Sequence, residues 1–332
     1  MADLSTSYMG LELKSPLIAA SSGLTDNIES LKRFEKFGVG AVVLKSLFEE
    51  EIIIEKEANM AKMRSNAFIY PETLDFYDYH DDTDKESTFQ YLQLVRDAKK
   101  ALNIPIIASI NCVTSDQWTY FPRELELAGA DALELNVFIM PSDLNRGKEE
   151  TDKVYFDIIE QVTNIVKIPV SLKLSFYFSD LAIMLKKFSE TKIKGLVLFN
   201  KFYNPDIDID TMEVISSSVL SSPDNIATTL RWTAIMHDHV SCDIAASNGI
   251  HDGAGMIKML LAGASAVQVA SAFYKNGVDY ASVMLKELED WMDKKKYKSI
   301  DDFKAKMSQH QTGNPAVFQR VQFMKYFRGH GS

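Results

Sequence analysis

The stretch IAASNGIHDGAGMIKMLLAGASAVQVASAFY, residues 244–274, contains one strand-helix-strand repeat and decides the fold class. A small apolar run ends in Ser-Asn-Gly, a helical pattern follows, and a second apolar run ends in Ala-Ser-Ala. Apolar residues in the middle segment recur at intervals of three and four, as they do on one face of a helix. The order strand, helix, strand predicts parallel strands joined by a right-handed crossover.

The same alternation extends over the whole chain. Helical patterns separate eight predicted strand cores, at residues 16–21, 41–46, 105–110, 132–137, 169–175, 195–200, 242–247 and 266–271. Short, bulky strands that each lead into a helix are typical of a (β/α)8 TIM barrel, so we predict an α/β fold of this type. Barrels of this length commonly form one domain, and we expect residues 1–332 to form a single domain.

Two connections are longer than the repeat requires. They are residues 47–85 after the second strand and residues 201–228 after the sixth. Both contain many aromatic residues, which favours ordered binding loops over disorder. Both leave the carboxyl ends of strands, the face on which barrel active sites lie.

Composition excludes several classes of function. The chain is 46% hydrophobic and 25% charged, with a net charge of −10, so we expect neither nucleic acid nor an anionic membrane as a partner. The two cysteines, Cys112 and Cys242, form no CxxC or Cys/His cluster, which argues against a disulfide framework or a metal site. Without a signal peptide or a long apolar run, the sequence predicts a cytoplasmic protein with a small-molecule substrate.

Polar residues gather where the predicted strands end. Lysine is rarely buried without a partner, so Lys45 and Lys173 inside apolar strands require an explanation. Cations and amides that converge on one pocket suit a planar, electron-rich ligand whose reduced form is anionic. The candidates at these strand ends are Ser21, Ser22, Lys45, Asn111, Cys112, Asn136, Lys173, Asn200, Ser247, Asn248, Gly249 and Ser271.

The two turns in 244–274 predict a phosphate site. Backbone N–H groups at two helix starts, after Ser247-Asn248-Gly249 and after Ala270-Ser271, can hold a phosphate at the usual place in this fold. The arrangement resembles the flavin mononucleotide (FMN) site of many barrel oxidoreductases. Such sites often have glycine where this chain has Asn248, a residue type that tolerates a left-handed backbone.

The strand-end motifs together resemble one known family over nearly the whole chain. The motifs are SPLIAASSG (15–23), GAVVLKS (40–46), ALELN (132–136), SLKLS (171–175), LFN (198–200), SNGIHDGAGMIKMLLAGASAVQVASAF (247–273) and the ending LKELEDWMDKKKYKSIDDFKAK (285–306). They are similar to the dihydroorotate dehydrogenase family, and most of all to a "dihydroorotate dehydrogenase-like" branch. In that family the ending forms a helix, a turn and a last helix.

The resemblance implies an FMN-binding barrel that oxidises or reduces a CH–CH bond in pyrimidine biosynthesis. It implies that Lys173 and Asn136 contact the flavin ring, with Ser21, Ser22, Lys45 and Asn111 near it. Asn66, Asn136 and Asn200 would face the substrate, and residues 247–249 and 270–271 would hold the phosphate. The absence of an N-terminal membrane extension resembles the soluble first class, which implies a homodimer.

One part of the family pattern is missing. After its asparagine the family continues with Leu-Ser-Cys-Pro-Asn, in which the cysteine is the general base, whereas this chain continues from Asn136 with Val-Phe-Ile-Met-Pro-Ser-Asp. The base position falls on Ile139 or Met140, depending on the direction of counting, and neither can remove a proton. Ser142 stands where the family has the second asparagine.

Substitute bases keep several functions open. Cys112 lies at the same rim, where Lys45 would lower the pKa of its thiol, and Asp143 is either a base or a helix cap. Tyr70 and Tyr203 lie on the long loops and can donate protons. Three functions then stay open. The chain is an enzyme that oxidises dihydroorotate with a displaced base, a family enzyme that acts on another cyclic substrate, or a protein that kept the barrel fold without enzymatic activity. A lyase that forms a Schiff base on Lys45 or Lys173 is a further alternative.

Overall fold

The structure is a computed structural model that describes residues 2–48, 83–111, 117–202, 204–216 and 218–319. Its strands are β1 (Thr6–Tyr8), β2 (Leu11–Leu13), β3 (Leu17–Ala19), β4 (Ala41–Val43), β5 (Leu47–Phe48), β6 (Ile106–Asn111), β7 (Ala132–Asn136), β8 (Val170–Leu174), β9 (Gly195–Leu198), β10 (Pro205–Asp208), β11 (Glu213–Ser216), β12 (Asp243–Ser247) and β13 (Ala266–Val269).

Helices follow the strands along the chain. They are α1 (Ile28–Lys36), α2 (Thr83–Ala101), α3 (Gln117–Ala128), α4 (Lys148–Ile165), α5 (Leu181–Ser189), α6 (Ile226–Met236), α7 (Gly253–Ala262), α8 (Ser271–Asn276), α9 (Tyr280–Lys295) and α10 (Ala316–Gln319). Short 3₁₀ turns lie at Pro223–Asn225 and Ile300–Asp302.

The central sheet closes on itself. The strands β3, β4, β6, β7, β8, β9, β12 and β13 pair in parallel in this order, and β13 pairs with β3. Each of these strands coincides with one of the eight predicted cores. The (β/α)8 TIM barrel is therefore confirmed.

The barrel interior changes from apolar to polar along its axis. At the amino ends of the strands, Ile18, Val43 and Ile107 pack against Tyr8 and Leu13 of the antiparallel hairpin β1–β2, which covers this end. Nearer the carboxyl ends, buried interior positions carry polar and charged side chains, namely Ser109, Glu134, Ser171, Lys173 and Gln268. Side chains alternate between the two faces of a strand, so these residues share the inner face. The fold therefore places a polar layer directly beneath the expected active-site face.

Local sequence explains where the helices begin and end. The Asn27 side chain accepts a hydrogen bond from the Ser30 N–H and so caps α1. Asp252 caps α7 in the same way, and α7 ends at Gly263, whose φ of 115° favours glycine. These caps fix the ends of helices that pack on the outside of the barrel.

The long connections contain secondary structure of their own. After β9, β10 pairs with β11 in an antiparallel hairpin before the chain reaches α6. After β4, β5 adds to the carboxyl end of β6. The rest of the connection that follows β4, residues 49–82, lies outside the described residues.

The C-terminal tail differs from the last helix that the family resemblance implies for the end of residues 285–306. The 3₁₀ turn Ile300–Asp302 is followed by further turns. The backbone N–H of Ala305 donates to the Leu260 carbonyl oxygen and that of Met307 to the Leu261 carbonyl oxygen. A helix would need these N–H groups for its own carbonyls, so the docking of the tail on the end of α7 replaces a final helix.

Candidate active site

Residues from five strand ends line one cavity at the carboxyl end of the barrel. It has a volume of about 80 Å³ and lies among the ends of β3, β8, β9, β12 and β13. Eight of the predicted site residues line it, namely Ser21, Lys173, Asn200, Ser247, Asn248, Gly249, Ala270 and Ser271. The structure thus brings together side chains that are up to 250 positions apart in the sequence.

The floor of the cavity is a buried ion pair. The Lys173 ammonium lies 3.1 Å from Glu134 Oε1 and 3.3 Å from Gln268 Oε1. The Gln268 amide nitrogen in turn donates to Glu134 Oε2 over 2.6 Å. Glu134 has no exposed surface and Lys173 is 6% exposed. The three side chains therefore bind one another through hydrogen bonds, and these bonds fix the ammonium in position below the strand ends.

Two predicted substrate contacts form a pair beside this floor. The side-chain amide of Asn200 donates to Asn136 Oδ1 over 2.9 Å. Asn136 ends β7, directly opposite Lys173 on β8, and Asn200 follows β9. Both side chains are partly exposed, so their remaining amide groups are accessible to a ligand.

The other predicted ring contacts lie on the opposite side of the barrel mouth. Hydroxyl groups form a chain there, with Ser21 Oγ 3.1 Å from Ser46 Oγ and Ser46 Oγ 2.8 Å from Ser109 Oγ. The Ser22 hydroxyl instead accepts a hydrogen bond from the Leu24 N–H and supports the turn after β3. Lys45 follows β4 and Asn111 ends β6, and both are partly exposed.

The turn after β12, which is the predicted phosphate turn, has a left-handed backbone. Asn248 and Gly249 both adopt left-handed conformations, with φ of 77° and 79°. The tolerance of Asn248 for this conformation is therefore confirmed. A Cβ on Gly249 would lie 2.1 Å from the Ile226 nitrogen, so only glycine fits. Within the described residues the buried Asn248 Oδ1 has no hydrogen-bond partner, which leaves it available to a ligand.

A second group of side chains supports the turn before α8. Ser221 donates its N–H to Ser271 Oγ over 3.0 Å, and its hydroxyl lies 3.0 Å from His251 Nε2. The Lys275 ammonium donates to the Ser221 carbonyl oxygen. Burial lowers the pKa of His251 below its usual value, and the positive charge of Lys275 lowers it further. His251 is therefore mostly the neutral imidazole at pH 7.

The segment that replaces the family's base contains no group positioned to remove a proton. The Ile139 N–H donates to the Tyr155 hydroxyl, and Met140 is 48% exposed. The Phe138 ring instead packs on Phe202, with 4.2 Å between ring centroids. Asp143 is exposed and accepts a hydrogen bond from the Asn145 N–H, while α4 begins after Gly147. Asp143 is thus neither a helix cap nor directed into the cavity.

Several predicted residues lie outside the described part of the chain. They are Asn66, Tyr70, Cys112 and Tyr203. Their proposed roles in substrate binding and proton transfer stay predictions.

The polar groups of the cavity are of the chemical types that would bind FMN. The left-handed turn and the helix starts beside it suit a phosphate, because backbone N–H groups there can donate to an anion, while Lys173 and the Asn136–Asn200 pair suit the polar edge of a flavin ring. Ligand pockets usually measure about 300–1,000 Å³. The observed cavity, at about 80 Å³, is the size of a phosphate group, so a bound flavin would extend beyond it.

The sequence analysis missed Glu134 and Gln268. Both stand at alternate positions of apolar strands, in ALELN and AVQVA, and alternation places Glu134 on the same face as Asn136. A carboxylate and an amide at these positions, together with a lysine at the same depth in SLKLS, were the available signal. Ser221 and His251 carried no comparable signal, because only the fold brings them beside Ser271.

Comparison with known proteins identifies the family of the chain. The family model "Dihydroorotate dehydrogenase" matches residues 3–292. A relative from Thermoplasma volcanium, "Dihydroorotate dehydrogenase B (NAD(+)), catalytic subunit", is 28% identical over 91% of this chain and 97% of its own length. Relatives of the same name from Thermoplasma acidophilum and Methanocella arvoryzae are each 29% identical, over 91% and 87% of this chain and 98% and 93% of their own lengths.

Two features are absent from the described residues. Among the described residues, no helix is both long and apolar enough to span a membrane. In the same part of the chain, no three His, Cys, Asp or Glu side chains come together as a group that could hold a metal ion.

The family match covers most of the chain and includes every element that lines the cavity. The chain therefore belongs to the dihydroorotate dehydrogenase family, whose members are oxidoreductases that act on CH–CH donors.

Proposed function

We propose that the chain is a single-domain, FMN-dependent oxidoreductase acting on a CH–CH bond of dihydroorotate or a related small cyclic substrate. The observation that carries the proposal is the convergence of Lys173, Asn200 and the turns 247–249 and 270–271 on one cavity. When bound, FMN would exchange a hydride with the substrate at its N5 atom. The residues of the chain would supply the binding, orientation and proton transfer that this exchange needs.

The floor of the cavity would orient the flavin ring. Lys173 retains one N–H donor beyond its two hydrogen bonds, since an ammonium has three. Because Glu134 and Gln268 hold its Nζ, the charge is preorganised and needs little rearrangement when electron density builds up on the ring. The turns 247–249 and 270–271 would hold the phosphate through backbone N–H groups.

The amide pair would orient the substrate. Asn136 and Asn200 lie at the ends of β7 and β9, on either side of β8, and can donate and accept hydrogen bonds in fixed directions. Cyclic imides present alternating N–H and C=O groups that match such a pair. We therefore assign substrate recognition to Asn136 and Asn200, together with Asn66.

The general base would be displaced from the segment after β7. Val137, Phe138, Ile139 and Met140 offer no proton acceptor. We assign the proton transfer to Cys112, with Lys45 favouring its thiolate. Loss of a general base typically lowers a rate by about 10²–10⁴.

An aromatic cluster favours a substrate other than dihydroorotate as a second candidate. Phe138 contacts Phe202 at 4.2 Å and Tyr177 at 6.4 Å between centroids, and these rings lie on the loops that follow β7, β8 and β9. Where the family carries Leu-Ser-Cys, the mouth of this barrel thus presents partly exposed rings. Such rings stack on planar substrates. A planar enone or imide that takes its proton from Tyr203 or water would fit this surface.

A Schiff-base lyase receives less support. A lysine that forms a Schiff base must present a neutral amine to a carbonyl. Lys173 is buried, and two side chains occupy its Nζ. Borohydride trapping of a carbonyl substrate on this lysine would contradict the flavin proposal.

A visible absorption spectrum of the purified protein tests the proposal, followed by anaerobic addition of dihydroorotate. We expect a flavin spectrum. Bleaching at a normal turnover rate supports dihydroorotate with a displaced base, and Cys112→Ala should then slow bleaching by about 10²–10⁴.

The matched control is Cys242→Ala. Burial raises the pKa of the Cys242 thiol to about 12, and this residue lies at the amino end of β12, remote from the cavity. Its removal should leave bleaching unchanged. A flavin spectrum that dihydroorotate does not bleach supports the second candidate, and a colourless protein that takes up no FMN overturns both. The homodimer stays a prediction that rests on the family resemblance, and the cytoplasmic location stays a prediction from the sequence.

A further inference from the structure

A second cavity lies at the opposite end of the barrel from the candidate active site. Its walls include Val170, which begins β8, Lys194, which precedes β9, and Asp243, which begins β12. Residues 9–11 of the β1–β2 hairpin form another side. The volume is about 790 Å³, within the range of small-molecule sites. The amino ends of barrel strands normally serve stability rather than catalysis, so a cavity of this size there needs its own explanation.

The charge of this cavity is opposite to that of the protein. Four lysines line it, namely Lys167, Lys192, Lys194 and Lys304, and Asp243 contributes a negative charge. The formal charge of these five side chains is +3, whereas the whole chain carries −10. Like charges that converge on a concave surface repel one another and raise the local concentration of anions.

The lysines are not neutralised by carboxylates within the described part of the chain. The Lys192 ammonium binds the neutral Asn164 Oδ1 at 2.6 Å, and Lys304 binds Ser265 Oγ at 3.1 Å. Asp243 is itself occupied, because its Oδ1 accepts from Ser265 Oγ and its Oδ2 from the Met9 N–H. Lys167 and Lys194 are exposed and have no ion pair with a described residue.

Part of the remaining wall of the cavity is apolar. It is formed by Met9, Leu11, Val166, Ile168, Val240 and Ile244, with the His237 ring among them. A simple inorganic anion would use only the lysines. A ligand with adjacent negative groups and a flat, less polar body would use both parts of the wall.

We infer that this amino-end cavity binds a phosphorylated small molecule of the nucleoside diphosphate class. Its two phosphates would lie against Lys167, Lys192 and Lys194, and its base would lie against the apolar wall. This inference does not depend on the proposed flavin chemistry, because the two cavities lie at opposite ends of the strands.

Calorimetric titration of ADP into the full chain tests the inference, at about 50 mM salt so that screening does not mask the charges. We expect saturable binding that the double variant K192Q/K194Q weakens at least about tenfold. The matched control is K294Q/K295Q, which removes the same charge from exposed positions at the end of α9. It should change the affinity by less than about twofold.

Lysine acetylation in the presence and absence of ADP locates the bound molecule. We expect ADP to protect Lys167, Lys192 and Lys194 and to leave Lys294 fully reactive. Absence of ADP binding would overturn the inference, as would an equal loss of affinity in both double variants. Protection of Lys275 at the carboxyl end instead of Lys194 would also overturn it, because ADP would then occupy the turns assigned to the flavin phosphate. Far-ultraviolet circular dichroism of each variant verifies that it is folded.

Discussion

Glu134 stands in the middle of an apolar strand with no exposed surface, and its partner Lys173 is nearly as buried. Removing one member of a buried ion pair leaves the other charge without compensation, at a cost of about 3–5 kcal/mol. Glu134→Gln should therefore lower the free energy of unfolding by about this amount, as measured by chemical denaturation.

The control for this variant is Asp290→Asn. Asp290 pairs with Lys286 on the surface of α9, where both side chains are more than 60% exposed. Exposed pairs contribute about 0–1 kcal/mol, so this variant should lose less than that. Equal losses in the two variants would show that the Glu134–Lys173 pair contributes no more than a surface pair.

His251 provides a pH-dependent test of the phosphate turn. Burial and the charge of Lys275 lower its pKa below the usual value of about 6.5. The unfolded chain then binds this proton more readily than the folded chain, so stability falls as the pH drops through the range near 6.5. NMR titration of the flavin-free protein should show the lowered pKa, and Lys275→Gln should raise it. Lys295→Gln, which removes a distant charge, should leave it unchanged; a His251 pKa at or above about 6.5 in the unmutated chain contradicts the assignment.

At this scale the sequence predicted the residues at strand ends but not the contacts between them. Lys45, Lys173, Asn136 and Asn200 were predicted because polar residues interrupt apolar strands. The partners of Lys173 are 39 and 95 positions away in the chain. Only the order and register of the strands bring those partners to the same depth, and no local pattern encodes that register.

Among the elements, the tail after α9 is the one that departs from expectation. Its turns dock on the ends of other helices, with the Gln309 N–H donating to the Ala234 carbonyl oxygen. Phe303 is fully buried against Trp291 and Tyr297. Helical periodicity alone could not predict this, because the backbone N–H groups find their partners in a different element.

Phe303→Ala tests how firmly this tail is attached. Truncation of a buried phenylalanine typically costs about 3–5 kcal/mol, so the variant should unfold at a lower denaturant concentration. Trp291 fluorescence should report the change, since its ring lies 4.9 Å from Phe303 between centroids. Phe89→Ala is the matched control, because Phe89 on α2 is 60% exposed and its loss should be small. A tail that contributes nothing to stability would give the two variants the same midpoint.

For the whole molecule, periodicity was sufficient to predict the architecture. The eight predicted strands form the closed barrel because each βα unit has the same handedness and each strand pairs with its neighbours. The face of the active site followed from the fold, since the carboxyl ends of parallel strands lie together. The amino-end cavity could not be predicted, because its four lysines come from two connections and the C-terminal tail, with no common motif. The two ends of the barrel therefore differ in how much of their chemistry is visible in the sequence.

The closure of the barrel also has a consequence for biosynthesis. Leu17 of β3 pairs with Val267 of β13, and Asp3 forms a bridge with Ser299. The ribosome synthesises β3 long before β13, so the edge of β3 that pairs with β13 has no partner during most of translation. Contacts between such distant residues slow folding, and incomplete chains with open edges are prone to aggregate. Expression at a low temperature or with a chaperone that shields nascent strands should therefore increase the yield of this protein more than changes to its surface would.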